Sequence, residues 1–438
     1  MYRYKLEELK AWKRKVDRKP LIIRGARQVG KTWLAQEFGR TEYAQTAYIN
    51  FDNNPRMQSL FSQDLDTSRI VQGLKAEANV DIAPHNTLII LDEIQEVPQA
   101  ITALKYFYEN SPEYHVVVAG SLLGVALHDG VSFPVGKVDF LDLHPLTLKE
   151  FLLALNEMKL IELLESEDYS LMATFRDKYI DLLKTYYFVG GLPEAVKTYS
   201  ETKSWNDVRT IQNNILAAYE QDFSKHAPLN TVPRLRQIWR NIPRQLAKEN
   251  KKFTYGLIRE GARAKDYELA LTWLEDTGLI YRIGRVSTPK LPLKAYQDFS
   301  AFKIYLLDVG LLTTMTGLTA QTLLRGDAVF TEFKGSLTEQ YVLQELKNIG
   351  GTDVFYWASD EGSTAEIDFL VQLGETILPV EVKAEENLQS KSLRVYAQKY
   401  SPKVVVRTSM ADYRDEGWLA NIPLYTIGGQ LLHLKTRE

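Results

Sequence analysis

The sequence contains no cysteine. That excludes a disulfide framework and thiolate chemistry, and it suits a reducing, cytoplasmic setting. No apolar run approaches the ~20 residues that a membrane-spanning helix needs, so no membrane association is expected. The stretch from Met1 to Pro20 is charged and lacks the apolar core of a secretory leader. The net charge of −3 excludes a uniformly basic nucleic-acid coat, though not local basic patches. There is no internal repeat and no low-complexity tail. What remains is the composition of an ordinary globular chain, 45% hydrophobic and 25% charged. At 438 residues it exceeds one hydrophobic core, so two or three domains are expected.

The most informative stretch is Gly25-Ala26-Arg27-Gln28-Val29-Gly30-Lys31-Thr32. It follows the apolar run Leu21-Ile22-Ile23 and precedes a helical pattern from Trp33 to Phe38. Strand, glycine-rich loop and helix in that order, with G-x-x-x-x-G-K-T spacing, make a phosphate-binding loop. Gly25 and Gly30 let the main chain curl so that successive N–H groups face an anion, and the helix N-terminus adds its dipole. Lys31 is expected on the β- and γ-phosphates of ATP, and the Thr32 hydroxyl on Mg²⁺.

Ala47 to Asp52 reads as a second strand, and Leu88-Ile89-Ile90-Leu91-Asp92-Glu93 as a buried parallel strand with its chemistry at the C-terminal end. Asp92 is expected in the Mg²⁺ shell, and Glu93 as the catalytic residue that orients or deprotonates water. Val116 to Ser121 forms a further buried strand. Ser121 either senses the γ-phosphate or caps a helix.

Downstream, Thr147-Leu148-Lys149-Glu150 is a capping-box sequence. Helical patterns follow, broken at Gly190-Gly191, with Pro193 fitting a new first turn. Glu220, Asp222 and Lys225 are expected in a hinge. Between Thr231 and Lys265 stand ten Lys or Arg against Glu249 and Glu260, a local balance of +8. Leu269 to Leu274, then Gly278 and a short apolar strand, complete a pattern that resembles a winged helix. Its charge either grips DNA or RNA phosphates or is simply solvated.

In the last hundred residues, Gly335 to Glu339 opens a helix. Glu366 to Val371 and Leu378 to Lys383 alternate as strands, with Asp368 opposite Ile367 and Phe369, and with Glu381 and Lys383 on one face. A helix glutamate, a strand aspartate and an E-x-K strand resemble the restriction-endonuclease-like, PD-(D/E)XK fold. That resemblance implies a metal set of Glu339, Asp368 and Glu381, with Glu381 and Lys383 as catalytic residues. The plain alternatives are a helix-capping Glu339 and an exposed Glu381–Lys383 sheet pair.

The phosphate loop, Asp92-Glu93-Ile94-Gln95 and Ala119-Gly120-Ser121 resemble the AAA+ ATPases. With His144-Pro145-Leu146 and Gly190-Gly191-Leu192-Pro193-Glu194, the chain resembles a prokaryotic family that fuses an AAA+ module to a C-terminal domain of unknown function. The resemblance implies an α/β protein in four parts: an AAA+ nucleotide domain over 1–143, a helical lid over 144–230, a winged-helix-like part over 231–325 and a nuclease-like part over 326–438. It also implies ATPase activity and homo-oligomers. Where such families carry Gly-Arg, this chain has Gly136-Lys137, and Lys is a weaker substitute for an arginine finger. Two functions are consistent with these features. One is an ATPase acting on nucleic acid with a metal-dependent cleavage site. The other is a nucleotide-dependent interaction switch with a silent nuclease-like domain.

Overall fold

Short runs of Leu, Ile and Val separated by helical patterns favour a buried parallel sheet, and such a sheet organises the first part of the chain. The computed structural model describes residues 1–120, 133–248, 250–325, 328–359, 364–386 and 389–434. It divides into two compact units: Tyr2–His144 with Asp276–Gly278, and Pro145–Glu275 with Leu279–Glu438.

The first unit runs α1 (Lys5–Lys13), β1 (Leu21–Arg24), α2 (Lys31–Glu42), β2 (Gln45–Asn50), α3 (Pro55–Gln63), α4 (Thr67–Ala78), β3 (Thr87–Asp92), α5 (Pro98–Asn110), β4 (His115–Ala119) and β5 (Asp139–Asp142). The strands lie in the order β2-β3-β4-β1-β5. All four pairings are parallel. Every residue of β3 is buried, which is why it reads as an unbroken apolar run. Ile89 and Leu91 join Ile49, Phe51, Ile101 and Leu104 in the core of this unit. Each such side chain contributes about 1.5–3 kcal/mol.

Register decides where the polar residues land. Ile23 pairs with Ala119 across β1 and β4. Ala119 pairs with Asp92 across β4 and β3, and Asp92 with Asn50 across β3 and β2. The C-terminal ends of four strands therefore share one edge of the sheet.

The second unit starts with helices: α6 (Leu148–Ala154), α7 (Met158–Ser166), α8 (Tyr169–Thr174), α9 (Arg176–Val189), α10 (Pro193–Thr202), α11 (Trp205–His226), α12 (Val232–Leu246) and α13 (Ala264–Asp276). The expected capping box is present: Thr147 Oγ1 accepts from Glu150 N, and a Glu150 carboxylate oxygen accepts from Thr147 N. The chain turns at Gly190, with φ of 74°. A Cβ there would come 2.1 Å from Asp308 Oδ1, so no larger residue fits. Glu220, Asp222 and Lys225 lie within the continuous helix α11, not in a hinge.

Then follow β6 (Ile280–Val286), β7 (Gln297–Leu306), α14 (Val309–Met315), α15 (Ala320–Arg325), α16 (Ala328–Lys347), β8 (Thr352–Ala358), β9 (Glu366–Leu373), β10 (Thr376–Val382), α17 (Lys391–Tyr400), β11 (Val406–Ser409), β12 (Arg414–Asp415), β13 (Ala420–Pro423) and α18 (Ile427–Leu434). The strands form one sheet in the order β12-β13-β11-β10-β9-β8-β6-β7. The border expected at 325/326 thus falls within a unit joined by a continuous sheet, because β6 pairs with β8 at Arg285–Tyr356 and Val286–Trp357. Among the described residues, no helix is long and apolar enough to cross a membrane.

One buried carboxyl in this unit gives the fold a pH dependence. Glu345 on α16 is 4% exposed and accepts from Leu148 N at 2.7 Å. Burial pushes it up to about 8 from its ordinary 4.5, the Leu148 hydrogen bond opposing and Glu150 adding. The folded chain therefore keeps a proton that the unfolded chain releases, so stability falls as pH rises from about 4.5 to about 8. Glu345→Gln is expected to flatten this fall, read as urea unfolding midpoints at about pH 5 and about pH 8.

Candidate functional site

The loop between β1 and α2 carries the backbone that the glycine spacing predicts. Gly25, Gln28 and Gly30 have φ of 144°, 65° and 93°. A Cβ on Gly25 would lie 2.2 Å from Leu143 O, a main-chain atom that cannot give way. Lys31, at the start of α2, is 7% exposed and donates to Gly25 O at 2.9 Å and Ala26 O at 2.7 Å. Burial lowers its ammonium to about 8; Glu93 and Asp92 oppose that fall, and Arg27 adds to it.

Next to the loop sits Asp92, 4% exposed. Its Oδ2 accepts from Thr32 Oγ1 at 2.9 Å and from Tyr48 Oη at 2.8 Å. The two residues expected to ligate Mg²⁺, Thr32 and Asp92, thus touch. A hydroxyl and a carboxylate side by side suit Mg²⁺, which takes few protein oxygens and completes its shell with phosphates and water. Glu93 is held in the left-handed region, φ 52°, and its carboxylate accepts from Gln95 Nε2 at 2.5 Å. The sequence reading missed Tyr48 and Gln95. Tyr48 could have been found as the polar residue on the strand beside β3, and Gln95 as the amide two residues past the acid. Ser121 lies outside the described residues. Lys137 pairs with Glu109 at 3.0 Å and lies over the Tyr108 ring.

The acids of the second unit are arranged otherwise. Glu339 sits inside α16, so it is not a helix cap. It is 7% exposed, and its two oxygens accept from Lys251 Nζ at 2.5 Å and Tyr305 Oη at 3.0 Å. Burial raises its carboxyl, but Lys251 and Lys303 outweigh that and hold it below the usual range. Asp368 Oδ2 accepts from Val382 N at 2.8 Å. Burial, then Glu339, push Asp368 well above an ordinary aspartate. Lys303, 1% exposed on β7, pairs with Glu366. Glu381 is buried, not the exposed sheet residue of the plain alternative. One oxygen pairs with Lys383 at 2.9 Å and the other, Oε2, has no partner. Glu381 and Lys383 line a cleft of about 260 Å³ with Gln389, Lys391 and Ser392.

Glu339, Asp368 and Glu381, the expected metal set, each have a different polar partner here: Lys251, Val382 N and Lys383. Among the described residues no group of three or more His, Asp or Glu could hold a metal ion. Lysine ammonium groups pair with Glu339, Glu381 and the neighbouring Glu366.

Of the ten basic residues between 231 and 265, six donate within the chain. Arg234 and Arg244 reach the carbonyls of Asn230 and Leu257, Arg236 reaches Ser224, Arg240 pairs with Glu220, Lys248 reaches Lys252 O, and Lys251 takes Glu339. Arg259, Arg263 and Lys265 stand exposed at and before the N-terminus of α13.

Two outcomes follow for the loop. Gly25→Ala is expected to destabilise the chain by more than about 1 kcal/mol in thermal unfolding and to abolish nucleotide binding. Tyr48→Phe removes a donor to Asp92 and is expected to weaken Mg²⁺-dependent nucleotide binding about tenfold, in calorimetric titration, with the fold intact.

Three family models match the sequence: an AAA domain over residues 17–152, a domain of unknown function (DUF8612) over 180–322, and a domain of unknown function (DUF4143) over 334–427. No curated protein matches. Among solved structures, the chain is similar to the Walker-type ATPase of Pyrococcus abyssi, at 14% identity and a TM-score of 0.45, covering 71% of this chain and 95% of that one. It is also similar to the Aeropyrum pernix Orc1 protein in complex with DNA, at 14% identity and a TM-score of 0.30, covering 73% and 93%. For the PCH-2 protein of C. elegans the values are 14% and 0.27, covering 46% and 62%. Likenesses this distant carry no argument about activity. The match over 17–152 coincides with the loop and the acid strand just described. That segment matches the AAA domain model and carries a phosphate loop with its acid strand, in one chain with two segments that match domains of unknown function.

Proposed function

We propose that the chain is a Mg²⁺-dependent ATPase of the AAA+ class that works at nucleic acid. The observation that carries the first half is the 2.9 Å contact between Thr32 and Asp92 beside the buried Lys31. In this reading the loop amides from Ala26 to Gly30 and the Lys31 ammonium bind the triphosphate. Thr32 and Asp92 hold Mg²⁺, with Tyr48 fixing the Asp92 carboxylate. When bound, Mg²⁺ spreads the charge of the β- and γ-phosphate oxygens. Glu93 orients the attacking water, and Gln95 holds the Glu93 carboxylate in place. Lys137, committed to Glu109, is left without a catalytic role.

Support for nucleic acid comes from the segment α12–α13–β6–β7. Two helices followed by an antiparallel strand pair are the elements of a winged helix. Arg259, Arg263 and Lys265 lie where the second helix of such a motif meets DNA. Their exposure favours phosphate contact, and Arg234, Arg236, Arg240 and Arg244, also exposed, add to the local positive charge, whereas Lys251 turns inward to Glu339.

The run α16, β8, β9, β10, α17, β11 has the element order of a restriction-endonuclease-like core, and Lys383 beside Glu381 fits its E-x-K strand. The lysine contacts at Glu339 and Glu366 nevertheless favour the second reading for this part: a nuclease-like domain without metal-dependent cleavage.

Purified protein with Mg²⁺-ATP is expected to release phosphate, and Lys31→Ala to abolish the release. An equal rate in the variant ends the ATPase reading. Replacing Arg259, Arg263 and Lys265 by Ala is expected to weaken duplex binding across sequences. The slope of log affinity against log salt should fall by about 0.9 for each phosphate contact removed. An unchanged slope ends the nucleic-acid reading.

A further inference from the structure

Lys251 and Lys303 come from outside the nuclease-like core. Lys251 follows α12, and Lys303 lies on β7. Both ammonium groups nevertheless reach its acids. Lys251 pairs with Glu339 at 2.5 Å, with both side chains about nine-tenths buried. Lys303 pairs with Glu366, faces Glu339 and Asp368 electrostatically, and lies over the Tyr356 ring at 4.9 Å. Tyr305, also on β7, donates to the second oxygen of Glu339. A divalent cation among these acids would have to displace Lys251 from Glu339 and lie close to Lys303, whose charge repels it. A buried pair that loses one partner leaves an uncompensated charge, so neither lysine can be removed without consequence.

We propose that Lys251 and Lys303 are built-in counter-ions that take the place of divalent metal at Glu339, Asp368 and Glu366 and close this acid cluster to it. The basic module thereby corks the site of the module that follows it. Glu381 stands outside this pairing: Lys383 compensates one of its oxygens, and Oε2 has no hydrogen bond. The inference rests on the acid cluster and not on the nucleotide reading.

The test is Mn²⁺ titration followed by electron paramagnetic resonance on the full chain in an Asp92→Asn background, so that the phosphate loop adds no site. The unaltered cluster is expected to bind no Mn²⁺ that Asp368→Asn removes. Lys251→Met with Lys303→Met is expected to gain a Mn²⁺ site that Asp368→Asn then abolishes. A site already present with both lysines overturns the inference. So does the absence of a site once both are gone from a folded chain. If the double variant does not fold, Lys251→Met alone decides through stability. It should lower the unfolding temperature, and adding Glu339→Gln should restore part of the loss. Failure of that rescue shows that the pair is not a charge compensation and overturns the inference equally.

Discussion

Parallel pairing in register is the constraint on which the first unit depends. Because β2, β3, β4 and β1 run the same way and are nearly level, their C-terminal ends open on one edge. The glycine loop leaves β1 on that edge, and Asp92 ends β3 on it. One strand separates them, yet Thr32 bridges the gap from the first turn of α2. A shift of β3 by one residue would turn Asp92 to the opposite face and put an apolar side chain against the loop. The apolar packing that sets the register therefore also sets the chemistry.

The second unit depends on a different kind of constraint. It buries many polar groups, several of which find their partners far along the chain. Gln340 bonds both main-chain groups of Leu306, and Gln344 reaches Val309 N and Tyr186 Oη. Together they fasten α16 to the end of β7 and to α9. The acids on and around α16 obey the same rule with charge in place of amides. At Glu339 the lysines outweigh burial and hold the carboxyl below its usual range; at Glu345, bonded to a main-chain amide, burial pushes it up.

Local features of both units were legible in the sequence, because their signals are short-range. The glycine spacing, the apolar run ending in Asp92-Glu93, the Thr147 capping box and the break at Gly190-Gly191 each act within a few residues. What could not be read depends on distant partners. Nothing near Glu339 in sequence announces Lys251, 88 residues earlier, or Tyr305, 34 residues earlier. The +8 count between 231 and 265 holds as a sum and largely as a surface: Arg234, Arg236, Arg240 and Arg244 are exposed, while Lys251 turns inward to Glu339. The sheet that crosses 325/326 was hidden for a similar reason: the pairing of β6 with β8 joins strands some 70 residues apart.

That pairing has a bearing on how the two domains of unknown function relate. β6 and β7 cover the flank of β8. A chain cut at 325/326 would bare that flank and offer its unpaired amides and carbonyls to any passing strand. In this chain the strand pair and the fold that follows it therefore shield each other's backbone, so neither part closes its sheet edge alone.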